Sequence, residues 1–333
     1  MSQQSNKAIY GGQAVIEGVM FGGKHVNVTA VRRKNQEITF LEVPREDKTW
    51  VRKLRKIPLL RGIVSIIDSS AKGSKHLNYS AEAYADDEVE PEEREKQKKK
   101  EESGMSLTMM LGVAAVGVLS FVFGKVVLTL VPVFIEKFLF GNMFESHTLH
   151  NIIEGVIKLL LLLLYLWAIS KTPVIKRLFQ YHGAEHKVIT CYEAGEELTV
   201  ANVQKHSRLH YRCGSSFMML TIILGVIIYS FISWDNMVDR IVQRLYLLPV
   251  VIALSFEFLK GTNALREVPV LRYLGYPGLW LQLLTTKEPK DDQVEVSIAS
   301  FKRMLELDAE MEKAKASITD EPVRNGVLDP LKG

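Results

Sequence analysis

The sequence predicts an α-helical polytopic membrane protein, with about four transmembrane helices and a small cytoplasmic α+β domain at its N-terminus. Three observations carry this. Residues 105–124 contain no charged side chain, and about 20 apolar residues in helical form cross a bilayer core. Three further apolar stretches follow at 152–169, 215–234 and 241–259. Residues 1–60, by contrast, hold eleven Lys or Arg against five Asp or Glu and begin with strand-like alternation. The averages conceal this division. A chain of 333 residues that is 47% apolar and 24% charged, with net charge +4, resembles a soluble protein of two domains. Two cysteines, Cys191 and Cys213, exclude a disulfide framework and suit a reducing compartment.

Residues 1–85 form the predicted basic cytoplasmic domain. Gly11-Gly12-Gln13-Ala14-Val15-Ile16-Glu17-Gly18-Val19-Met20 reads as an apolar strand whose glycines admit a neighbouring backbone. It lacks the Lys-Ser/Thr of a phosphate loop. Val26, Val28 and Ala30, then Ile38 and Phe40, alternate with polar neighbours across a turn at 33–36, which predicts a hairpin. Leu60, Ile63, Val64 and Ile67 share one helical face next to Lys53, Arg55, Lys56 and Arg61. That helix suits either an anionic leaflet or packing on the sheet. Residues 86–104 form a charge-dense linker.

The membrane domain spans 105–259, and Pro132 is expected to mark the far end of the first helix. The second carries six consecutive leucines at 159–164, and the third ends on Trp234. The fourth has Arg244 and Glu257 near its ends and Pro249 inside. Lys171, Lys176, Arg177, Lys187, Lys205, Arg208 and Arg212 lie between the second and third spans, whereas 136–150 holds only Lys137. Positive residues stay inside, so the loop 170–214 and both termini are predicted to be cytoplasmic, in a bacterial plasma membrane. Residues 1–20 lack the charged-then-apolar architecture of a secretory signal. The C-terminal segment 260–333 holds a short apolar piece at 277–284, fit for the interface or for plugging the bundle. An amphipathic helix from about 293 to 315 follows, with Val294, Ile298, Phe301 and Leu305 on one face. It needs a partner surface, expected in the N-terminal domain. No internal repeat supports a transporter of inverted halves.

The loop 170–214 carries the chemistry. His182 and His186 are four apart, the spacing of two metal ligands on one helical face. Glu185 beside them suits a general base for a metal-activated water, and His-x-x-Glu-His is the inverzincin order. Gly183 weakens the helix on which this depends. Candidates to complete the shell are Glu257, His210 and Cys213, with His206 more distant. A divalent transition metal, zinc foremost, is the expected cofactor. The alternative is that these histidines are hydrogen-bonded polar residues without metal. A second set, His147, His150 and Glu154, also shares a helical face, and its plainer reading is an intrahelical Glu154–Lys158 ion pair.

Four segments also carry a resemblance. The motif at 11–20, Tyr181-His182-Gly183-Ala184-Glu185-His186-Lys187, Arg212-Cys213-Gly214-Ser215-Ser216-Phe217 and the Pro-Gly-Leu-Trp-Leu-Gln-Leu-Leu-Thr-Thr run at 277–286 look like the YqhQ-like family. These are bacterial multi-pass membrane proteins described as predicted metal-dependent enzymes. The resemblance spans roughly residues 7–315. It implies that His182, Glu185, His186, His210 and Cys213 form one cytoplasm-facing site. The family tends to read His-Pro-Arg-Cys-Gly-Thr-Ser before the third span. Here Tyr211 and Ser215 replace the Pro and the Thr, and the turn between His210 and Cys213 is correspondingly looser.

The expected function is a metal-dependent membrane hydrolase. A non-catalytic scaffold or regulatory subunit, binding a cytosolic partner or anionic lipid through the basic N-terminal region, is the alternative. A small transporter component is third. The bilayer is the expected partner and a homo-oligomer is compatible. Nucleic acid is not expected, because the basic residues lack interleaved aromatics.

Overall fold

The computed structural model describes residues 10–45, 49–88, 127 and 130–319. It is mostly helical, with one small four-stranded sheet near the N-terminus. Strands β1 (Gly11–Val15), β2 (Gly18–Gly22), β3 (Val26–Arg32) and β4 (Ile38–Pro44) form an antiparallel meander in sequence order. The β3–β4 hairpin matches the expected alternation, with Arg32 opposite Ile38. The 11–20 motif is not one strand. It folds back on itself, pairing Val15 with Gly18 around Ile16 and Glu17, with Glu17 at φ 53°. A side chain at position 18 would place its Cβ 2.1 Å from the Ala30 carbonyl oxygen, so this strand contact requires glycine.

Six consecutive residues of β3 are buried, because the sheet is covered on both faces. Val26, Val28 and Ala30 face helix α9 (Asp291–Thr319), with Val19 and Phe21 beside them. The Phe301 ring meets Phe21 edge-on at 4.9 Å, and the Ser300 hydroxyl donates to the carbonyls of Val19 and Val28. The opposite face carries Thr29 and Val31 and meets α2 (Leu60–Glu88), which follows the short α1 (Thr49–Leu54). There Thr29 Oγ1 and His76 Nδ1 lie 2.6 Å apart, and Ala83 packs on Val15 and Val31.

After α2 come helical residues 130–140, then α3 (His147–Ile169), α4 (Pro173–Ala194), the short α5 (Val200–Lys205) and α6 (Gly214–Ser230). Then come α7 (Met237–Ala264), a 3-10 turn and α8 (Tyr276–Thr285). Helices α3 and α7 are long and apolar enough to cross a membrane, and less than a quarter of each apolar window is buried. On α3, Ile152, Val156, Leu160 and Leu164 recur every fourth residue and are all exposed.

Several expectations need correction. The stretch 105–126 lies outside the described residues, as do most of the linker and the last fourteen residues. Pro132 does not end a helix; it lies within helical residues 130–140, where its fixed φ is compatible with a helical path. The third apolar segment stops at Ser230, giving a 17-residue helix, and Trp234 belongs to the connection beyond it. The region 170–214 is largely helical rather than a loop. Its α4 contributes Tyr181, Ala184, Val188 and Cys191 to the same core as β2, β3 and α9. That core therefore draws on segments far apart in the chain, and residues 1–85 do not close it alone. The short apolar piece at 277–284 is α8, which buries Leu281 against Leu166 and Met219. Glu154 bonds across helices, to Arg240 and Arg244 of α7, rather than serving only its own helix.

Candidate functional site

Helix α4 begins with Pro173 in its first turn, a position where the missing N–H costs no helical bond. It ends at Gly195, which adopts φ 79° as the C-cap. Gly183 in its middle has a packing reason. A Cβ there would lie 2.1 Å from the Lys287 carbonyl oxygen, and the Lys287 N–H donates to the Phe179 carbonyl at 2.8 Å. The glycine thus admits the chain leaving α8 against the helix face next to His182.

His182 and His186 share that helix and their ring centroids are 4.5 Å apart. His182 Nδ1 lies 2.8 Å from the Thr285 carbonyl, and His186 Nδ1 lies 2.6 Å from the Arg208 carbonyl. A carbonyl only accepts, so each Nδ1 carries a proton, which leaves Nε2 as the ring atom able to offer a lone pair. His182 Nε2 is 3.2 Å from Cys213 Sγ. One donor atom from each of His182, His186 and Cys213 lies within 4.8 Å of the other two. Cys213 is the N-cap of α6, where its sulfur accepts from the Ser215 N–H at 3.4 Å. Two imidazoles and a thiol, with both rings oriented by carbonyls, are a donor set that could hold a divalent metal ion.

Glu185 lines the same cavity of about 330 Å³, together with Gly11 and Gly12 of β1 and Arg212. Its carboxyl is pushed up to about 7 by burial, which outweighs the opposing effects of His182 and of the Gly12 N–H. Burial likewise pushes the His186 imidazole down, although Cys213 opposes it. A carboxyl near neutrality beside a potential metal position has the character of a general base.

His210 borders the cavity but does not join the three-atom cluster. Its Nε2 is 3.8 Å from Glu193 Oε2, and its backbone is clamped by Gln282, which accepts from the His210 N–H and donates to the His210 carbonyl, both at 2.8 Å. Burial would push the Glu193 carboxyl up, but the nearby His210 ring and the hydrogen-bonded Arg212 guanidinium outweigh it and hold it at about 2. Glu257 is placed elsewhere: its carboxylate is bonded by Arg61 and by the Leu59 N–H of the α1–α2 connection. It satisfies its charge there and is not in the cavity lining. His206 belongs to a different cluster, with Cys191 and Glu196. Glu17 bonds Arg177 and sits 3.4 Å from the Tyr181 hydroxyl, tying the β1–β2 turn to α4.

Sequence reasoning missed the Arg208 and Thr285 carbonyls, the Gly12 amide and Gln282. Backbone groups carry no residue signature. Gln282 did carry one, as a lone polar residue in an apolar run, three positions before Thr285.

At the opposite end of α3, Glu136, His150, Glu154, Arg240 and Arg244 are all buried. Arg240 bridges Glu136 at 2.7 Å and Glu154 at 2.8 Å, and Arg244 reaches Glu154 through Nε at 3.0 Å and Nη2 at 2.8 Å. His150 bonds Glu136, and the other predicted residue of that set, His147, stacks on Trp234 at 4.2 Å.

Comparison with known proteins agrees in extent with this architecture. A family model described as "Protein of unknown function (DUF1385)" matches residues 57–307, more than half of the chain. The "Uncharacterized protein YqhQ" of Bacillus subtilis (strain 168) is 54% identical over 309 residues, covering 93% of this chain and 96% of its own length. No solved structure matches. The matched span contains α4, the Cys213 cap and α8, and the chain belongs to the DUF1385 family.

Proposed function

We propose that the chain is a metal-dependent enzyme of the bacterial plasma membrane, most simply a hydrolase, whose site opens at the cytoplasmic face. The observation that carries this is the convergence of His182, His186 and Cys213 donor atoms within 4.8 Å, with both histidine tautomers fixed by backbone carbonyls. His182, His186 and Cys213 would hold the ion, and three protein ligands is the number that catalytic zinc sites use. A bound divalent ion supplies Lewis-acid polarisation there. Glu185, whose burial raises its affinity for a proton, would accept the proton of the attacking water. Gln282 and Glu193 keep His210 and Arg212 at the rim.

Multi-pass insertion is supported by the exposure of α3 and α7, and cytoplasmic termini by the positive residues between the second and third apolar segments. A core helix of a soluble protein hides its apolar side chains, whereas the exposed stripe of α3 needs lipid or a partner. The site sits where α4 and α6 meet, on the side of the predicted positive residues. Substrates on this reading are lipids, lipid-linked metabolites or membrane-adjacent peptides. Trp50, Ile57, Leu60 and Ile67 are exposed beside Lys53 and Lys56, an apolar and basic edge suited to anionic lipid at the same surface.

Metal content tests the reading. Protein purified in detergent is expected to carry a transition metal, and the His186→Ala variant is expected to carry one equivalent less. A folded His186→Ala variant that binds as much zinc or cobalt as the wild type sinks the proposal.

A further inference from the structure

Beyond this site, helix α4 carries a third potential ligand on another face. Cys191 lies five residues past His186, fully buried. After Gly195 the chain turns back, and the Glu196 N–H donates to the Cys191 carbonyl at 3.2 Å. This brings the Glu196 carboxylate to the sulfur. Helix α5 then ends on His206, its C-cap, whose ring closes the group. One donor atom from each of Cys191, Glu196 and His206 lies within 4.8 Å of the other two.

Two features point to a cation. His206 Nε2 and Glu196 Oε2 are 3.4 Å apart, yet the buried Nε2 has no hydrogen-bond partner. A nitrogen and a carboxylate oxygen on a tetrahedral zinc, with bonds of about 2.0 Å, stand about 3.3 Å apart, and a thiolate sulfur stands about 3.6 Å from either. The observed nitrogen–oxygen spacing is therefore close to that of two ligands on one ion, and the sulfur lies within 4.8 Å of both. The charges also balance: a thiolate and a carboxylate neutralise a divalent ion, which keeps the cost of burial low.

We propose that Cys191, Glu196 and His206 bind a second divalent metal of the zinc class, with a structural role. The ion would staple the segment 195–206 to the C-terminal end of α4. That segment leads directly into Arg208, whose carbonyl orients His186, and into His210 and Cys213. The second metal would thus hold in place the chain that completes the first site. The inference does not depend on the first site being catalytic.

Cobalt(II) is the probe, because a cysteine ligand gives a sulfur-to-cobalt charge-transfer band. The doubly substituted His186→Ala, Cys213→Ser protein, in detergent, removes the first site. It is expected to bind about one equivalent of cobalt with that band. Adding Cys191→Ser should abolish the band. Adding Glu196→Gln instead, at a half-exposed position that threatens the fold little, should lower cobalt affinity by ~10-fold or more. A folded double variant that develops no band, or a band that survives Cys191→Ser, overturns the proposal. Failure of the first site alone looks different: the Cys191→Ser single variant would then bind no cobalt, while the His186→Ala, Cys213→Ser protein still would.

Discussion

The two ends of the apolar helices each gather titratable side chains, and they solve opposite problems. At the end formed by the starts of α3 and α7, both acids, Glu136 and Glu154, are answered by guanidinium groups, with His150 and Asn151 as further partners. Arg240 and Arg244 also lie over the Trp234 and Tyr229 rings, at 4.5 and 3.9 Å. At the other end, His182, His186 and Cys213 turn lone pairs toward one another, with carbonyls behind the two rings. The first set pairs each acid with a guanidinium group, leaving Arg240 Nε without a hydrogen-bond partner. The second gathers two imidazoles and a thiol with no acid–guanidinium pair among them. Buried ionisable groups alone thus say little about function; what separates the two ends is whether the charges cancel locally.

The contrast breaks most sharply by crossed substitution. In a Cys191→Ser background, which leaves only the first site, His186→Ala should remove its metal and abolish the stabilisation that added zinc gives. That stabilisation is about 4 kcal/mol at a thousandfold excess over the dissociation constant. Thermal unfolding with and without zinc reads it, and metal-free stability should change far less. Glu154→Ala should do the reverse. It leaves Arg240 and Arg244 buried without their shared carboxylate, a loss of about 3–5 kcal/mol, while metal uptake at the far end persists. If Glu154→Ala strips the metal or His186→Ala unfolds the metal-free protein, the two ends are not separable.

Much of this was legible in the sequence because it rests on periodicity. The Val26–Arg32 alternation and the face of Val294, Ile298 and Phe301 each announced a buried surface, and His182 and His186 announced a shared helical face. What was not legible depends on distant pairing. Glu257 looked like an unpaired acid near a span, but its partner Arg61 lies 196 residues earlier. Glu154 had a helical neighbour of opposite charge, yet its observed bonds run to α7, about 90 residues later. The two-residue turn inside the 11–20 motif was hidden because Glu17 adopts a left-handed conformation that composition does not signal. Gly183 read as a defect in α4 until the passage of the Lys287 carbonyl gave it a cause.

A smaller effect probes how the metal end is held. Gln282 is fully buried and bonds the His210 N–H, the His210 carbonyl and Ser216 Oγ, all within 2.9 Å. Gln282→Ala leaves those groups unsatisfied and should cost about 1–3 kcal/mol. Because His210 stands beside the three-atom cluster rather than in it, the variant should still bind metal near stoichiometrically. Loss of metal in a folded Gln282→Ala protein would make His210 a ligand after all.

The smallest expected effect lies at the ion-paired end. Trp234 sits in the connection between α6 and α7, with the Arg240 guanidinium over its ring and His147 stacked on it. Arg240 already bonds two carboxylates, so the ring adds quadrupole attraction to a charge that is otherwise satisfied. Trp234→Leu should therefore cost only about 0.5–2 kcal/mol beyond its lost apolar contact. Trp234→Phe keeps an aromatic face and should recover part of that. The difference between the two variants, read by chemical unfolding, isolates the contribution of the ring. If it matches the loss in Glu154→Ala, the carboxylates do not suffice to neutralise Arg240, and that end is less complete than its geometry indicates.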